Sequence, residues 1–183
     1  MNHSQPGILS PILSHARYLE FGLIPDADPI TVLHELASRP LNHEMVIGLG
    51  PSLVQVLGKT IEGFHPFPSI SGPGCTIPST QADLWCWVRG DDRGQALHTA
   101  RSVDPIVGSA FRCDSVLDGF RYGSGLDLTG YEDGTENPKD DAATEAAIVQ
   151  RVGPGMDGSS FVSTQQWVHD LDHFGAMSQG ERD

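Results

Sequence analysis

Basic side chains are scarce in this chain: 11 Lys and Arg stand against 24 Asp and Glu, a net charge of −13 with histidine neutral. A phosphate backbone repels such a surface, and so does an anionic membrane face. The expected partners therefore include neither nucleic acid nor membrane. No window reaches the roughly eighteen apolar residues that a bilayer-spanning helix requires. The opening Met1-Asn2-His3-Ser4-Gln5-Pro6 has neither the basic start nor the apolar core of a secretory signal. Cysteine is rare too. Cys75, Cys86 and Cys113 are odd in number and far apart, which excludes a disulfide scaffold. They read as reduced thiols of a cytoplasmic protein, mostly core filler. A phosphate-binding glycine loop, a Ser-centred nucleophile elbow and a Cys-X-X-Cys pair are all missing, and no internal repeat is visible.

What is present points to a folded, loop-rich chain. Its 183 residues suit one domain, or one plus a partial second. A hydrophobic share of 38% supports a core, and 21 Gly with 13 Pro demand many turns. Residues His15 to Ile24 alternate, Leu19, Phe21 and Leu23 opposite Tyr18 and Glu20, as in a half-buried strand. Asp28 and Pro29 open a helix with Ile30, Leu33 and Leu36 on one face. Met45 to Leu49 is a second strand and Ser52 to Lys59 a short helix ending near Gly58. Gly63 to Thr80 has no period and reads as a long irregular loop. Ala82 to Val88 is the strongest strand in the sequence, apolar on both faces from Leu84 on, hence a central one. Asp91 caps a helix through Ala96, Leu97, Ala100 and Val103, and Phe111 to Tyr122 returns as a strand with an irregular middle. This order of strands and helices is the split β-α-β arrangement of a ferredoxin-like α+β sandwich.

Beyond Pro138 the composition turns polar, then Ala-rich from Ala142 to Val149, and Ser160 to Val168 reads as a further strand. The expected organisation is a unit over residues 1–138 and the start of a second ferredoxin-like unit, truncated, over residues 139–183. Ser178-Gln179-Gly180-Glu181 fits a capping box announcing a helix.

The densest polar constellation is Gly130-Tyr131-Glu132-Asp133-Gly134-Thr135-Glu136-Asn137-Pro138. Two glycines bracket an aspartate, so the backbone can turn tightly and admit a close neighbour. An acidic turn between units is the plain alternative. A calcium loop fits poorly: with Gly134 at the sixth position, Thr129 and Tyr131 fall where carboxylates belong, and Asp140 stands where Glu is expected. His169 and His173 sit four apart and would share a face on a helix, as zinc ligands do. A strand running directly into His169 breaks that spacing, so a solvated turn is preferred and no metal site is assigned.

This nine-residue stretch resembles the Gly-X-X-Asp-Gly signature of dye-decolorising (DyP-type) haem peroxidases, and its Thr-Glu-Asn-Pro extension resembles the B-type branch. Gln5-Pro6-Gly7-Ile8-Leu9, Asp83 to Gly90, Asp118-Gly119-Phe120-Arg121-Tyr122, Gly158 to Val162, Trp167 to Leu171 and Met177-Ser178 continue the resemblance in family order. It implies two ferredoxin-like units, a dimeric α+β barrel, holding haem b, and oxidation of dyes, phenolics or porphyrins by hydrogen peroxide with a small-molecule reductant. Asp133 takes the place of the distal carboxylate, with Gly134, Thr135 and Asn137 as haem contacts. In the family the proximal His and distal Arg lie beyond the point where this sequence ends, so the resemblance covers a little over half of a peroxidase. Gln166 stands where members often have a basic residue. A homo-oligomer is expected. A degenerate, non-catalytic binding or interaction protein is the alternative.

Overall fold

The computed structural model describes residues 4–40 and 42–182. By its internal contacts the chain divides into two compact units, one of Gln5–Gly119 and one beginning at Phe120.

In the first unit β1 (His15–Leu23) leads into α1 (Pro29–Ser38). Asp28 caps α1 by accepting from the Ile30 amide, and Pro29 occupies the first turn, where its missing N–H is no loss. The strand β2 (Met45–Leu49) is followed by α2 (Pro51–Val56), and Gly58, with φ +69°, ends that turn. A hairpin of β3 (Ile70–Gly72) and β4 (Cys75–Ile77) comes next. Then follow β5 (Leu84–Gly90), α3 (Arg93–Arg101), α4 (Asp104–Val107) and β6 (Phe111–Phe120).

The four long strands form one sheet in the order β2-β5-β1-β6, with β5 antiparallel to both β1 and β2. Counting only these strands, the order is second, third, first, fourth, as in the ferredoxin-like sandwich. The sheet is open rather than closed into the barrel that was expected, since β2 and β6 are its edges. The register sets Leu19 opposite Cys86 and Phe21 opposite Leu84. These four side chains meet Val32 and Leu36 of α1, Ala96 and Ala100 of α3, and Val103, Val107 and Phe111 in one buried cluster. Each fully buried large apolar side chain there contributes roughly 1.5–3 kcal/mol. Alternation places Tyr18, Trp85 and Trp87 on the opposite face, where Tyr18 stacks on both indoles at centroid distances of 6.2 and 6.3 Å. Arg89 is buried on that side, its Nε donating to the His43 carbonyl (2.7 Å), its Nη2 to the Gly7 carbonyl, and its guanidinium lying 4.2 Å from the Trp87 ring centre.

Several expectations need correction. The buried stripe of α1 is Pro29, Val32 and Leu36, while Ile30 is about half exposed; the stripe is set by the side on which α1 meets the sheet. Asp92, not Asp91, caps α3, accepting from the Gln95 amide. Asp91 instead accepts from the amide and hydroxyl of Ser14. The Gly63 to Thr80 loop holds the β3–β4 hairpin, whose two-residue turn combines the fixed φ of Pro73 with φ +75° at Gly74, the dihedral pattern of a type II turn. Of the cysteines only Cys86 is core; Cys75 lies in the hairpin and Cys113 in an edge strand, both exposed. The irregular middle of β6 is present: a Cβ on Gly22, on the aromatic face, would meet Asp114, whereas Asp118 pairs with Arg17 at 3.1 Å on the face that carries Leu19 and Phe21. Residues an even number apart thus reach opposite faces, which requires a break in the alternation.

The unit beginning at Phe120 contains α5 (Asp140–Ala147), α6 (Leu171–Ala176) and α7 (Gln179–Arg182). Asp140 and Asp141 sit in the first turn of α5, where the helix dipole favours negative charge. Half of the capping box is formed: Glu181 Oε2 reaches back to accept from the Ser178 amide at 2.8 Å, but the Ser178 hydroxyl donates to that same oxygen at 2.8 Å, and the Glu181 amide donates to the Ser178 carbonyl at 3.0 Å. The expected strand at Ser160 to Val168 is not formed. Those residues belong to no sheet among the described residues, and Val168 is 93% exposed. A strand is defined by a hydrogen-bonded neighbour, which alternation in one segment cannot supply.

Candidate functional site

The glycine-bracketed loop is built by local hydrogen bonds. Tyr122 bridges Leu126, and Leu126 bridges Glu132. Between them Asp127 organises a turn. Its Oδ1 accepts from the amide and hydroxyl of Thr129 at 2.8 and 2.7 Å, and its carbonyl accepts from the Gly130 amide at 2.8 Å. This is the Asx turn that an aspartate two residues before its donor favours. The Asp127 amide then donates to the Tyr131 carbonyl at 2.9 Å, closing the loop. Gly130, at φ +93°, completes a turn that side chains disfavour. The Thr129 amide, and then its hydroxyl, hold the Asp127 carboxyl below the usual carboxylate range.

Asp133 follows, exposed, its Oδ1 accepting from the Gly134 amide at 2.7 Å. Gly134 has φ +69°, and a Cβ there would collide with the amide end of Asn137, whose Cγ would lie at 3.2 Å. The Asn137 amide donates to the Gly134 carbonyl at 3.0 Å. The structure thus gathers Asp133, Gly134 and Asn137 into a single tight turn, with Thr135 inside it and exposed. The chemistry offered is a solvent-facing carboxylate on a backbone tight enough to lie close against a flat ligand.

The residues that support this loop are not legible as a motif. His169 Nε2 stands 3.7 Å from Asp127 Oδ2, an ion pair when the imidazole is protonated. The Tyr131 ring meets Phe174 edge to face at 6.1 Å, and Gln179 Nε2 donates to the Tyr131 hydroxyl at 3.5 Å. His169 precedes α6 and His173 lies in its first turns, with Asp170 between them capping the helix through the His173 amide.

By its strand order the first unit belongs to the ferredoxin-like α+β class, and the loop that follows carries an exposed aspartate between two positive-φ glycines. Comparison with known proteins narrows the class. The family model described as Dyp-type peroxidase, N-terminal, matches residues 24–121, and the one described as Dyp-type peroxidase, C-terminal, matches residues 124–183. The chain belongs to the Dyp-type peroxidase family. Relatives named dye-decolorizing peroxidase include one from Mycobacterium tuberculosis, 31% identical over 96% of this chain and 56% of its own, and one from Brevibacterium linens, 33% identical over 63% of this chain and 32% of its own. The chain therefore spans about half the length, or less, of these curated relatives. Among solved structures, a Shewanella oneidensis dyp-type peroxidase protein superposes with TM-score 0.85 at 23% identity, covering all of this chain and 64% of that one. A Rhodococcus jostii RHA1 DypB variant in complex with heme gives TM-score 0.74 at 26% identity over 96% of this chain and 61% of that one. The two matched family segments meet between residues 121 and 124, close to where the chain divides into its two units.

Proposed function

We propose that this chain supplies the peroxide-facing side of a haem b site in a cytoplasmic, homo-oligomeric peroxidase, with Asp133 as its catalytic residue. The observation that carries the reading is the Asp133 carboxylate, exposed on a loop whose glycines hold it in a tight turn. The donor set of this loop fits one side of a haem only. Residues 130–138 contain no His, Cys or Met, the side chains that most often ligate haem iron. The Tyr131 ring is packed on Phe174 and its hydroxyl accepts from Gln179. The loop would therefore contact the group without ligating its iron, and the family resemblance implies that an iron-ligating imidazole would come from residues outside these 183. Gly134 would let the backbone approach the porphyrin, and Thr135 and Asn137 would contact its edge.

When bound, the haem supplies the redox centre that accepts oxidising equivalents from hydrogen peroxide and delivers them to a small reductant such as a dye, a phenolic compound or a porphyrin. The chain's own part is proton handling. Asp133 would take the proton from one peroxide oxygen and return it to the other, so that the second oxygen leaves as water.

The test is Asp133→Asn in protein loaded with haem. The rate of reaction with peroxide should fall by roughly 10²–10⁴-fold, the usual contribution of a positioned acid–base group, while the haem absorption band persists. Loss of haem binding instead would show that Asp133 holds the group rather than moving a proton. Strong haem absorption with substrate turnover by the 183 residues alone would overturn the assignment of the axial imidazole.

A further inference from the structure

The loop that carries Asp133 touches the segment 169–182 at three points. His169 Nε2 lies 3.7 Å from Asp127 Oδ2, the Phe174 ring meets the Tyr131 ring edge to face at 6.1 Å, and Gln179 reaches the Tyr131 hydroxyl at 3.5 Å. These contacts flank Asp133 on its N-terminal side, at the two residues, Asp127 and Tyr131, whose backbone hydrogen bond closes the loop. The segment making them is itself braced. The Arg182 guanidinium lies over the Phe174 ring, 5.0 Å from its centre, and donates to the Gly175 carbonyl at 2.8 Å, and Glu181 is held by Ser178.

We propose that Asp127, Tyr131, His169 and Phe174 form a strut that positions the loop bearing Asp133, and that these four are positioning residues for the reaction assigned to Asp133. The physical need is clear. The loop buries little apolar surface, and a stretch with two positive-φ glycines explores many conformations when nothing fixes it. An exposed carboxylate held within a few tenths of an ångström of its working place requires a supporting shell. One ring contact and one imidazole–carboxylate contact, placed at the two ends of the closing hydrogen bond, limit rotation about that bond in a way that neither does alone. The role assigned to the strut rests on the function proposed for Asp133, but its mechanical content does not.

Hydrogen exchange over residues 126–137 of the 183-residue chain reads the strut without any haem. Phe174→Ala should speed exchange in this loop roughly two- to twelvefold, the range expected from losing one edge-to-face pair, and His169→Gln up to about fivefold, the range of a partly exposed imidazole–carboxylate contact. Exchange in β1 and β5 of the other unit should not change. Tyr131→Phe keeps the ring and His169→Lys keeps the charge, so both should restore near-native exchange; this rescue separates a specific contact from general loosening. If Phe174→Ala unfolds the chain, the ring-retaining Phe174→Tyr and the two His169 variants still decide the matter. Unchanged exchange in Phe174→Ala and His169→Gln, or failure of both rescues, overturns the strut. In haem-loaded protein the strut variants should lower kcat while KM for the reductant holds, because only the aspartate's aim is altered. Should Asp133→Asn leave peroxide reactivity intact while the exchange pattern holds, the function assigned to Asp133 falls and the strut stands as a structural device.

Discussion

Gly134→Ala tests the geometry of the loop most directly. At φ +69° an L-residue costs roughly 1–2 kcal/mol more than glycine. The added methyl would also collide with the Asn137 amide group, with Cγ at 3.2 Å. That group ends a flexible side chain, so it can swing away at a cost of about 0.5–1.5 kcal/mol in rotamer energy. Together these come to roughly 1.5–3.5 kcal/mol of local strain, enough to raise the open population of the loop by about 10- to 300-fold. The strain sits in an exposed turn of the unit beginning at Phe120, whereas the buried cluster belongs to Gln5–Gly119, so melting of the Gln5–Gly119 unit should be untouched. The assay is hydrogen exchange of residues 130–138 alongside thermal unfolding. Removing the obstacle with Asn137→Ala in the Gly134→Ala background should recover the collision share and leave the dihedral share, a non-additive pair of the kind that contacting residues show. Purely additive effects, or wild-type exchange in Gly134→Ala, would refute the argued collision.

Other outcomes follow from the same coordinates. Cys86 is fully buried and burial pushes its thiol up to about 12, so a thiol reagent at pH 8 should label Cys75 and Cys113 and reach Cys86 only on unfolding. Leu84→Ala should cost the first unit about 2–5 kcal/mol in denaturant melts, since Leu84 is fully buried. Leu97→Ala, at a side chain 37% exposed and outside that cluster, should cost far less. The Asp127 carboxyl is held low in the folded chain by the Thr129 amide and hydroxyl, with the His169 charge adding to them. Its contribution to loop order is therefore full above the ordinary carboxylate value of about 3.9 and is lost as pH falls through the depressed folded value. The Thr129 amide resonance followed by NMR should report that acid transition, and Asp127→Asn should abolish it.

Much of the first unit was legible because its signals are local. Alternation marked β1, apolarity on both faces marked β5 as an inner strand, and Asp28-Pro29 marked the start of α1. The order of these elements was enough to name a ferredoxin-like sandwich, because short connections leave few topologies open. The back-reaching half of the capping box, Glu181 to the Ser178 amide, formed where its four residues indicated, for that bond spans only three positions. Where prediction missed, the deciding interaction came from elsewhere in the chain. Asp91 and Asp92 are equally good caps by chemistry, and the distant Ser14 claims Asp91. Ser160 to Val168 reads as a strand, yet strand formation depends on a neighbour that one segment does not specify.

The candidate loop divides along the same line. Its glycines and its aspartate are adjacent in the chain and could be read together, and the turn they make is closed by bonds that seldom reach beyond four residues. The supports at His169, Phe174 and Gln179 lie roughly forty residues away, in a segment whose histidines suggested a metal or a solvated turn. Sequence alone determined which residues could turn tightly and offer a carboxylate, since backbone freedom and side-chain chemistry are properties of single residues. Tertiary structure decided what holds that carboxylate still, because contact across a long stretch of chain depends on packing, which no short pattern encodes.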